Sequence, residues 1–270
     1  MSVLRVALHG AAGRMGLSLA RVLAAPGQAS LRLVGAVDRP ERAGASLAAL
    51  AGIAPGAFDG LALESDLDAV LERADVLIDF SLPGPAAGAF AACARRPTAL
   101  VSGTTGLTAE ADARLDALAA QAPVLHAPNF SAGVTLLFHL AAVAAAAAPE
   151  LDAEIVELHH RHKVDAPSGT AVRLAEAVRG ARGVPREAEV RARDGQAGPR
   201  GEGEVGVMTL RGGDVVGEHT LLLCGAGERV ELTHRASDRL IFARGAVRAA
   251  RWLARREPGR YRMSDVLGLG

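Results

Sequence analysis

Five short apolar runs dominate the first half of the chain, and they restrict its fold more than any other feature. They cover residues 3–9, 31–38, 74–80, 98–102 and 124–127, with helical patterns at 14–25, 83–95 and 108–120 between them. Strands this short and apolar on both faces need cover on both sides, which a parallel sheet with helical crossovers provides. The expected class is α/β, with a doubly wound parallel sheet that gathers ligands at the carboxyl ends of its strands.

The pattern changes after Asn129. A long Ala-rich helix is expected over 131–148, an alternating strand over 153–160 and a helix over 168–179, followed by a polar, glycine-rich passage at 180–203. Segments 204–211, 215–224 and 228–234 read as antiparallel strands, turning at Gly212-Gly213-Asp214 and Gly225-Ala226-Gly227. This describes a C-terminal α+β domain with an open mixed sheet. A last amphipathic helix, 238–257, carries Ile241, Phe242, Ala246, Ala249, Ala250 and Leu253 on one side and is expected to return to the first domain. The expected division is 1–129 with 240–270 for the dinucleotide-binding domain, and 130–239 for substrate binding and oligomerisation.

Thirty basic and thirty acidic residues give no net charge, and no long basic block appears. A nucleic-acid partner, which needs a concentrated cationic surface, is therefore not expected. The N-terminus enters a strand without a leader pattern, and the most apolar stretch, 134–148, is too short to span a bilayer comfortably. A soluble cytoplasmic protein is expected, with Cys93 and Cys224 as buried, reduced thiols. All the basic residues but one are arginine; Lys163 is the exception. A lone lysine can mark a place where the cation must be able to give up a proton.

The first turn, His9-Gly10-Ala11-Ala12-Gly13-Arg14-Met15-Gly16, sits between the first strand and first helix, and Asp38 ends the second strand. Glycines here allow a tight turn and let the backbone approach a pyrophosphate at the helix N-terminus. Gly10, Ala11, Ala12, Gly13, Arg14 and Met15 are thus candidate cofactor residues. Asp38 suits a ribose 2′-hydroxyl, whereas Arg39 or Arg14 suits a 2′-phosphate, so NADH or NADPH is expected without a ranking. Gly103, Thr104 and Thr105 follow the fourth strand, and Ala127, Pro128, Asn129 and Phe130 the fifth, where both loops should face the nicotinamide half. Thr108 and Ser131 can cap the next helices at the same time.

The chemistry is expected in Glu157-Leu-His-His-Arg-His-Lys-Val-Asp-Ala-Pro-Ser-Gly-Thr-Ala171. His159 and His160 point to opposite faces if the strand persists, so they cannot do the same job. No metal is expected: adjacent histidines are poorly spaced for one ion, no acidic or cysteine ligand is suitably grouped nearby, and the neighbours are cationic. Ser168, Gly169 and Thr170 open a helix, where backbone N–H groups and hydroxyls make a carboxylate or phosphate receptor. A Lys/His cluster beside an anion pocket fits a reductase acting on a small acidic substrate.

That fifteen-residue segment closely resembles the signature of the 4-hydroxy-tetrahydrodipicolinate reductase (dihydrodipicolinate reductase) family. The likeness extends to Gly10–Gly16, Gly103-Thr-Thr-Gly106, Ala127-Pro-Asn-Phe-Ser131, Arg211-Gly-Gly213, Gly217-Glu-His219, Glu231-Leu-Thr-His-Arg-Ala-Ser237 and Phe242-Ala-Arg-Gly245. Two departures stand out: His9 where a small or apolar residue is expected, and Asp38 where some relatives carry glutamate. The resemblance implies a Rossmann domain, a sheet domain that assembles a homotetramer, and NADH- or NADPH-dependent reduction at C4 of a cyclic imine in the diaminopimelate route to lysine. It implies His159 and Lys163 as the proton-donating pair, His160 as a substrate contact, and Gly169 and Thr170 on a carboxylate of a small dicarboxylate substrate.

Overall fold

The computed structural model describes residues 3–58 and 60–269. In chain order these form β1 (Leu4–His9), α1 (Arg14–Ala24), β2 (Leu31–Val37), α2 (Leu47–Ala51), α3 (Leu67–Leu71), β3 (Val76–Asp79), α4 (Pro83–Arg95), β4 (Ala99–Ser102), α5 (Ala109–Ala119) and β5 (Pro123–His126). Then come α6 (Ala132–Ala147), β6 (Asp152–His159), α7 (Gly169–Arg182), β7 (Glu189–Val190), β8 (Val205–Arg211), β9 (Gly217–Gly225), β10 (Glu228–Ala236), α8 (Leu240–Leu253), β11 (Gly259–Tyr261) and α9 (Met263–Leu267). Two compact units result: one runs to Ser131 and resumes at Leu240, and the other is Ala132–Arg239.

The first unit holds a parallel sheet in the order β11-β5-β4-β3-β1-β2. Alternate strand residues feed opposite layers, as the two-residue strand period requires. Val6, Leu8, Ile78, Val101 and Leu125 pack on one side with α1 and α8, whereas Ala7, Leu77, Leu100 and Val124 pack on the other with α4 and α5. Double coverage is why the middles of these runs are apolar, with most polar residues near their ends. The short α2 and α3, the edge strand β11 and α9 had no expected counterpart; their segments are too short to show a helical or strand period.

The last long helix, α8, returns to this unit and buries Ala243, Ala246, Val247, Ala249, Ala250 and Leu253. Ile241 and Phe242, expected on the buried side, are only half-buried. The buried face is set by Gly245, where a Cβ would lie 1.7 Å from the Phe130 carbonyl oxygen. That closest approach turns Ile241 and Phe242 to the margin.

The second unit is a mixed sheet in the order β10-β9-β6-β8-β7. One face is covered by Leu137, Ala141 and Ala145 of α6 and by Leu174, Ala175 and Val178 of α7, packed on Ile155, Val207, Leu221 and Leu223. Two expectations need correction. The three late strands do not form a continuous antiparallel meander: β9 pairs antiparallel with β10, but β8 lies parallel to β6 and β9 takes the other side of β6. Residues 212–216 cross the end of β6 instead of closing a hairpin, with Gly212 N–H on the His159 carbonyl at 2.9 Å and His160 N–H on the Val215 carbonyl at 2.7 Å.

The glycine-rich passage also has structure. Helix α7 runs on to Arg182 and ends at Gly183, whose φ of +67° suits a glycine cap. Beyond it, Arg193 grips both oxygens of Glu154 at 2.9 Å each, and Arg200 reaches Glu154 at 3.1 Å and Asp152 at 2.8 Å. Both cysteines are free, Cys93 buried but Cys224 only half-buried, against the expectation for it. Among the described residues, no helix is long and apolar enough to cross a membrane.

A methyl group at position 245 has no room, because its neighbour is backbone. Gly245→Ala is expected to destabilise the chain by at least about 2 kcal/mol in urea unfolding. Gly88→Ala, on an open helix face with nothing within 4 Å of the added carbon, should be neutral or stabilising by up to about 1 kcal/mol.

Candidate active site

The β1–α1 turn is shaped by two glycines. At Gly10, with φ +72°, a Cβ would stand 2.8 Å from the Phe80 carbonyl oxygen; at Gly16 it would stand 2.4 Å from that of Gly10. Ala11 is buried with its N–H on the Val37 carbonyl, and Met15 packs beside the core. Gly13 caps α1 without a side-chain hydrogen bond. This end of the helix suits an anion, because its first amides point outward and the helix dipole favours negative charge. Asp38 reaches into the same turn: its Oδ2 accepts the Ala12 N–H at 2.7 Å and its Oδ1 the Arg39 N–H at 2.9 Å. Arg14 and Arg39 are exposed.

Behind this turn lies a carboxylate that the sequence reading missed. Asp79, at the end of β3, is fully buried and accepts from His9 Nδ1 at 2.8 Å, Ser81 Oγ at 2.6 Å, Ser102 Oγ at 2.8 Å and Thr104 Oγ1 at 2.8 Å. Burial pushes its carboxyl up, but the His9 bond and charge and the two serine hydroxyls hold it below the usual carboxylate range. His9 therefore has a purpose at its unusual position. Thr104 is buried on Asp79, so of the Gly103-Thr104-Thr105 loop only Thr105 presents an exposed side chain. Gly103 is obligatory for another reason: a Cβ would enter the Phe80 ring, which packs on Phe130 at 5.4 Å. In the last loop Ala127 and Phe130 are buried, Pro128 is exposed, and Asn129 Oδ1 accepts the Ser131 N–H at 2.8 Å. Thr108 caps α5 through the Ala111 N–H. These residues fit a dinucleotide: a glycine cradle that no side chain could replace, an open helix N-terminus, and a carboxylate at the end of β2.

In the second unit the register of β6 decides the chemistry. Glu157 lies beside Thr209 of β8 and His219 of β9, and His159 lies beside Arg211. Glu157 and His159 are two apart and share a face. His159 Nδ1 makes a short hydrogen bond to Glu157 Oε2. Glu157 Oε1 accepts from the Ser168 N–H at 3.2 Å, Thr209 Oγ1 at 3.1 Å and Arg211 Nη1 at 3.0 Å. Burial raises the Glu157 carboxyl, yet the bonds from His159 and Arg211 outweigh it and hold it below the usual range. His159 moves down as well, chiefly by burial and further by the Lys163 and Arg211 charges, with Glu157 opposing.

The other expected residues lie around this pair, each in its own setting. Lys163 Nζ donates to Asp165 at 2.7 and 2.9 Å. Arg239 donates to His160 Nε2 at 3.3 Å. Gly169 is exposed at the start of α7, and Thr170 follows it half-buried. Ser168 is buried: its Oγ accepts the Ala171 N–H at 3.2 Å as the helix cap, and the same oxygen meets His219 Nε2 at 3.1 Å. The grouping argument against a metal also needs correction. Glu157, His159 and His219 bring one ligand atom each within 4.8 Å of one another. His219 comes from a distant strand, so spacing along the chain could not reveal it. Period-two pairs, Glu157 with His159, Thr209 with Arg211 and Gly217 with His219, were the available signal.

A doubly wound sheet with a glycine cradle, and a separate sheet carrying a histidine–lysine cluster, define a nucleotide-binding oxidoreductase. The chain belongs to the dihydrodipicolinate reductase family: residues 4–130 match the family's "Dihydrodipicolinate reductase, N-terminus" and 133–267 its "Dihydrodipicolinate reductase, C-terminus". It is 53% identical to the 4-hydroxy-tetrahydrodipicolinate reductase of Alkalilimnicola ehrlichii, over 98% of this chain and 99% of that one. It is 51% identical to the enzyme of that name from an Anaeromyxobacter species, over 99% and 98%. Among solved structures, the dipicolinate-bound dihydrodipicolinate reductase of Paenisporosarcina sp. TG-14 superposes with a TM-score of 0.75 at 25% identity, covering 97% of this chain and 98% of that one.

The buried His219 supplies a test of the second unit. Burial, the His159 charge and other neighbours push it down to about 4. A histidine lowered on folding gives its full stabilisation above its unfolded value near 6.5 and loses it as pH falls toward the folded value. The whole gap is worth about 3 kcal/mol, of which about 2 kcal/mol should be lost between pH 7 and pH 5 in urea unfolding. In His219→Gln that slope should flatten by about one proton.

Proposed function

We propose that this chain reduces the cyclic imine formed when 4-hydroxy-tetrahydrodipicolinate loses water, giving tetrahydrodipicolinate, with NADH or NADPH as reductant. The carrying observation is that the His159–Lys163 cluster and the open start of α7 stand together at the end of β6 in a chain that matches this family along both halves. When bound, the reduced nicotinamide supplies a hydride. Gly10, Ala11, Ala12, Gly13, Arg14, Met15 and the loops at Gly103–Thr105 and Ala127–Phe130 would hold it. Asp38 supports a ribose diol, and the exposed Arg14 and Arg39 support a 2′-phosphate, which favours use of both cofactors.

The chain's own part is to hold a dicarboxylate and deliver a proton. Gly169 and Thr170, at the start of a helix, suit one carboxylate, and His160 with Arg239 beside it suits the ring or the other. Hydride arriving at C4 drives an electron pair toward the ring nitrogen, and a proton must balance it. His159 Nε2 and the Lys163 ammonium are the groups proposed for that transfer. Lys163 sits where an anionic substrate would compete for it with Asp165. This reading extends to a homotetramer through the uncovered face of the second sheet, where Leu210 is exposed.

Oxidation of NADH or NADPH should follow addition of the freshly formed condensation product of pyruvate and aspartate semialdehyde. Intact cofactor binding without turnover would sink the reading. Lys163→Ala is expected to lower kcat by about 10²–10⁴-fold, as for loss of a positioned acid. Cofactor affinity, read by fluorescence titration, should barely change; its collapse would make Lys163 structural.

A further inference from the structure

We infer that Glu157 is a positioning residue: its buried carboxylate holds His159 in the Nδ1–H tautomer and aims Nε2 at the substrate. The inference rests on the proposed proton-transfer role of His159, but its geometry stands independently. Glu157 has no exposed surface, and its Oε1 is held by donors from two further elements, the start of α7 (Ser168) and β8 (Thr209 and Arg211). Only Oε2 is left for His159. An ionised carboxylate accepts and cannot donate, so the ring nitrogen facing it must carry the hydrogen. Nε2 is then the atom that gains or gives up the catalytic proton. A buried acid that orients a histidine in this way recurs in unrelated enzymes.

The neighbours leave the ring little freedom. An ideal Cβ on Gly217 would stand 2.9 Å from His159 Nε2, so the imidazole lies against bare backbone that any other residue would obstruct. The His219 ring meets it edge-on, with centroids 5.1 Å apart at 74°. Electrostatics give Glu157 a second task. Burial and the charges of Lys163 and Arg211 disfavour the imidazolium, and Glu157 is the group that opposes them. Without the carboxylate, His159 would hold a proton less readily.

A divalent cation among Glu157, His159 and His219 is the competing use of these atoms. Two features oppose it: Arg211 already binds the same carboxylate at 3.0 Å, and both carboxylate oxygens have donors.

Nitrogen-15 NMR of the histidine rings in the full-length wild-type protein is the deciding measurement, with His159 assigned by the signal lost in His159→Asn. The expected spectrum shows His159 as Nδ1–H with a low-field Nδ1 proton. An Nε2–H form or an even mixture overturns the inference, as does a joint shift of His159 and His219 on adding one equivalent of Zn²⁺. Glu157→Gln should mix the tautomers, move the His159 titration to lower pH and reduce kcat about 10–100-fold with KM little changed. A merely structural glutamate would lower thermal stability while leaving tautomer and pH profile unmoved. Because the wild-type spectrum needs no substrate, it decides the tautomer even if the chain turns over a different imine. Conversely, full activity in His159→Gln would remove the proton-transfer role without touching the spectrum.

Discussion

Two carboxylates with no exposed surface, Asp79 and Glu157, organise the two units. A buried unpaired carboxylate would cost several kcal/mol, so each must collect donors, and the chain is arranged to supply them. Asp79 draws in His9 from β1, Ser81 from the loop after β3, and Ser102 and Thr104 from β4 and its loop. Three strand ends are tied together where a dinucleotide would lie. Glu157 does the same for β6, β8 and the start of α7. Each carboxylate also takes the Nδ1 of one histidine, so the anchoring of the backbone and the orientation of a ring are a single event. Removing either acid would leave several donors buried without a partner, a larger loss than one hydrogen bond.

This arrangement explains which parts of the molecule could be read from sequence. The parallel sheet was legible because each strand must be apolar on both faces, and Val6, Ala7 and Leu8 or Leu100 and Val101 can serve no other fold as well. The glycine turn was legible because Gly10 and Gly16 face backbone that excludes a side chain. What stayed hidden depends on register between distant strands. Nothing in the spacing of His219 announces that it sits beside Glu157, or that its ring meets the Ser168 hydroxyl that caps α7. The order of the second sheet was hidden for the same reason. A turn of glycines predicts that the chain reverses, not that a third strand lies between the two it joins.

The polar passage before β8 shows charge doing what an apolar pattern does elsewhere. Gly206 has its α-carbon so close to Glu154 that a Cβ would overlap the carboxylate. That carboxylate is gripped by both Arg193 and Arg200, and Arg193 also reaches Glu204 at 3.0 Å. A guanidinium fork can bridge two acids at fixed angles, so a loop without a hydrophobic face still has a defined path. Such partly exposed pairs add little stability singly. Their value here is geometric, since they set where β7 and β8 begin.

The contrast between those forks and the one ammonium bears on the site. Arginine pairs serve wherever a fixed cation suffices: Arg211 on Glu157, Arg239 on His160, Arg193 and Arg200 on Glu154. Lys163 is the only lysine in the chain, and it stands within electrostatic reach of His159, lowering that ring's hold on its proton. Its partner Asp165 is exposed and two residues away in the same turn, a pair that an incoming carboxylate can disrupt at small cost. Glu157, by contrast, is locked by groups that substrate would not displace. The imidazole is therefore held in place by a buried acid and biased by a nearby cation whose own partner is exposed. Binding of a dianion would draw off the Lys163 charge and add negative charge beside the ring, and both changes raise its affinity for a proton. On the proposed function, such a site would favour the protonated histidine when substrate is present, the state in which a proton donor is useful.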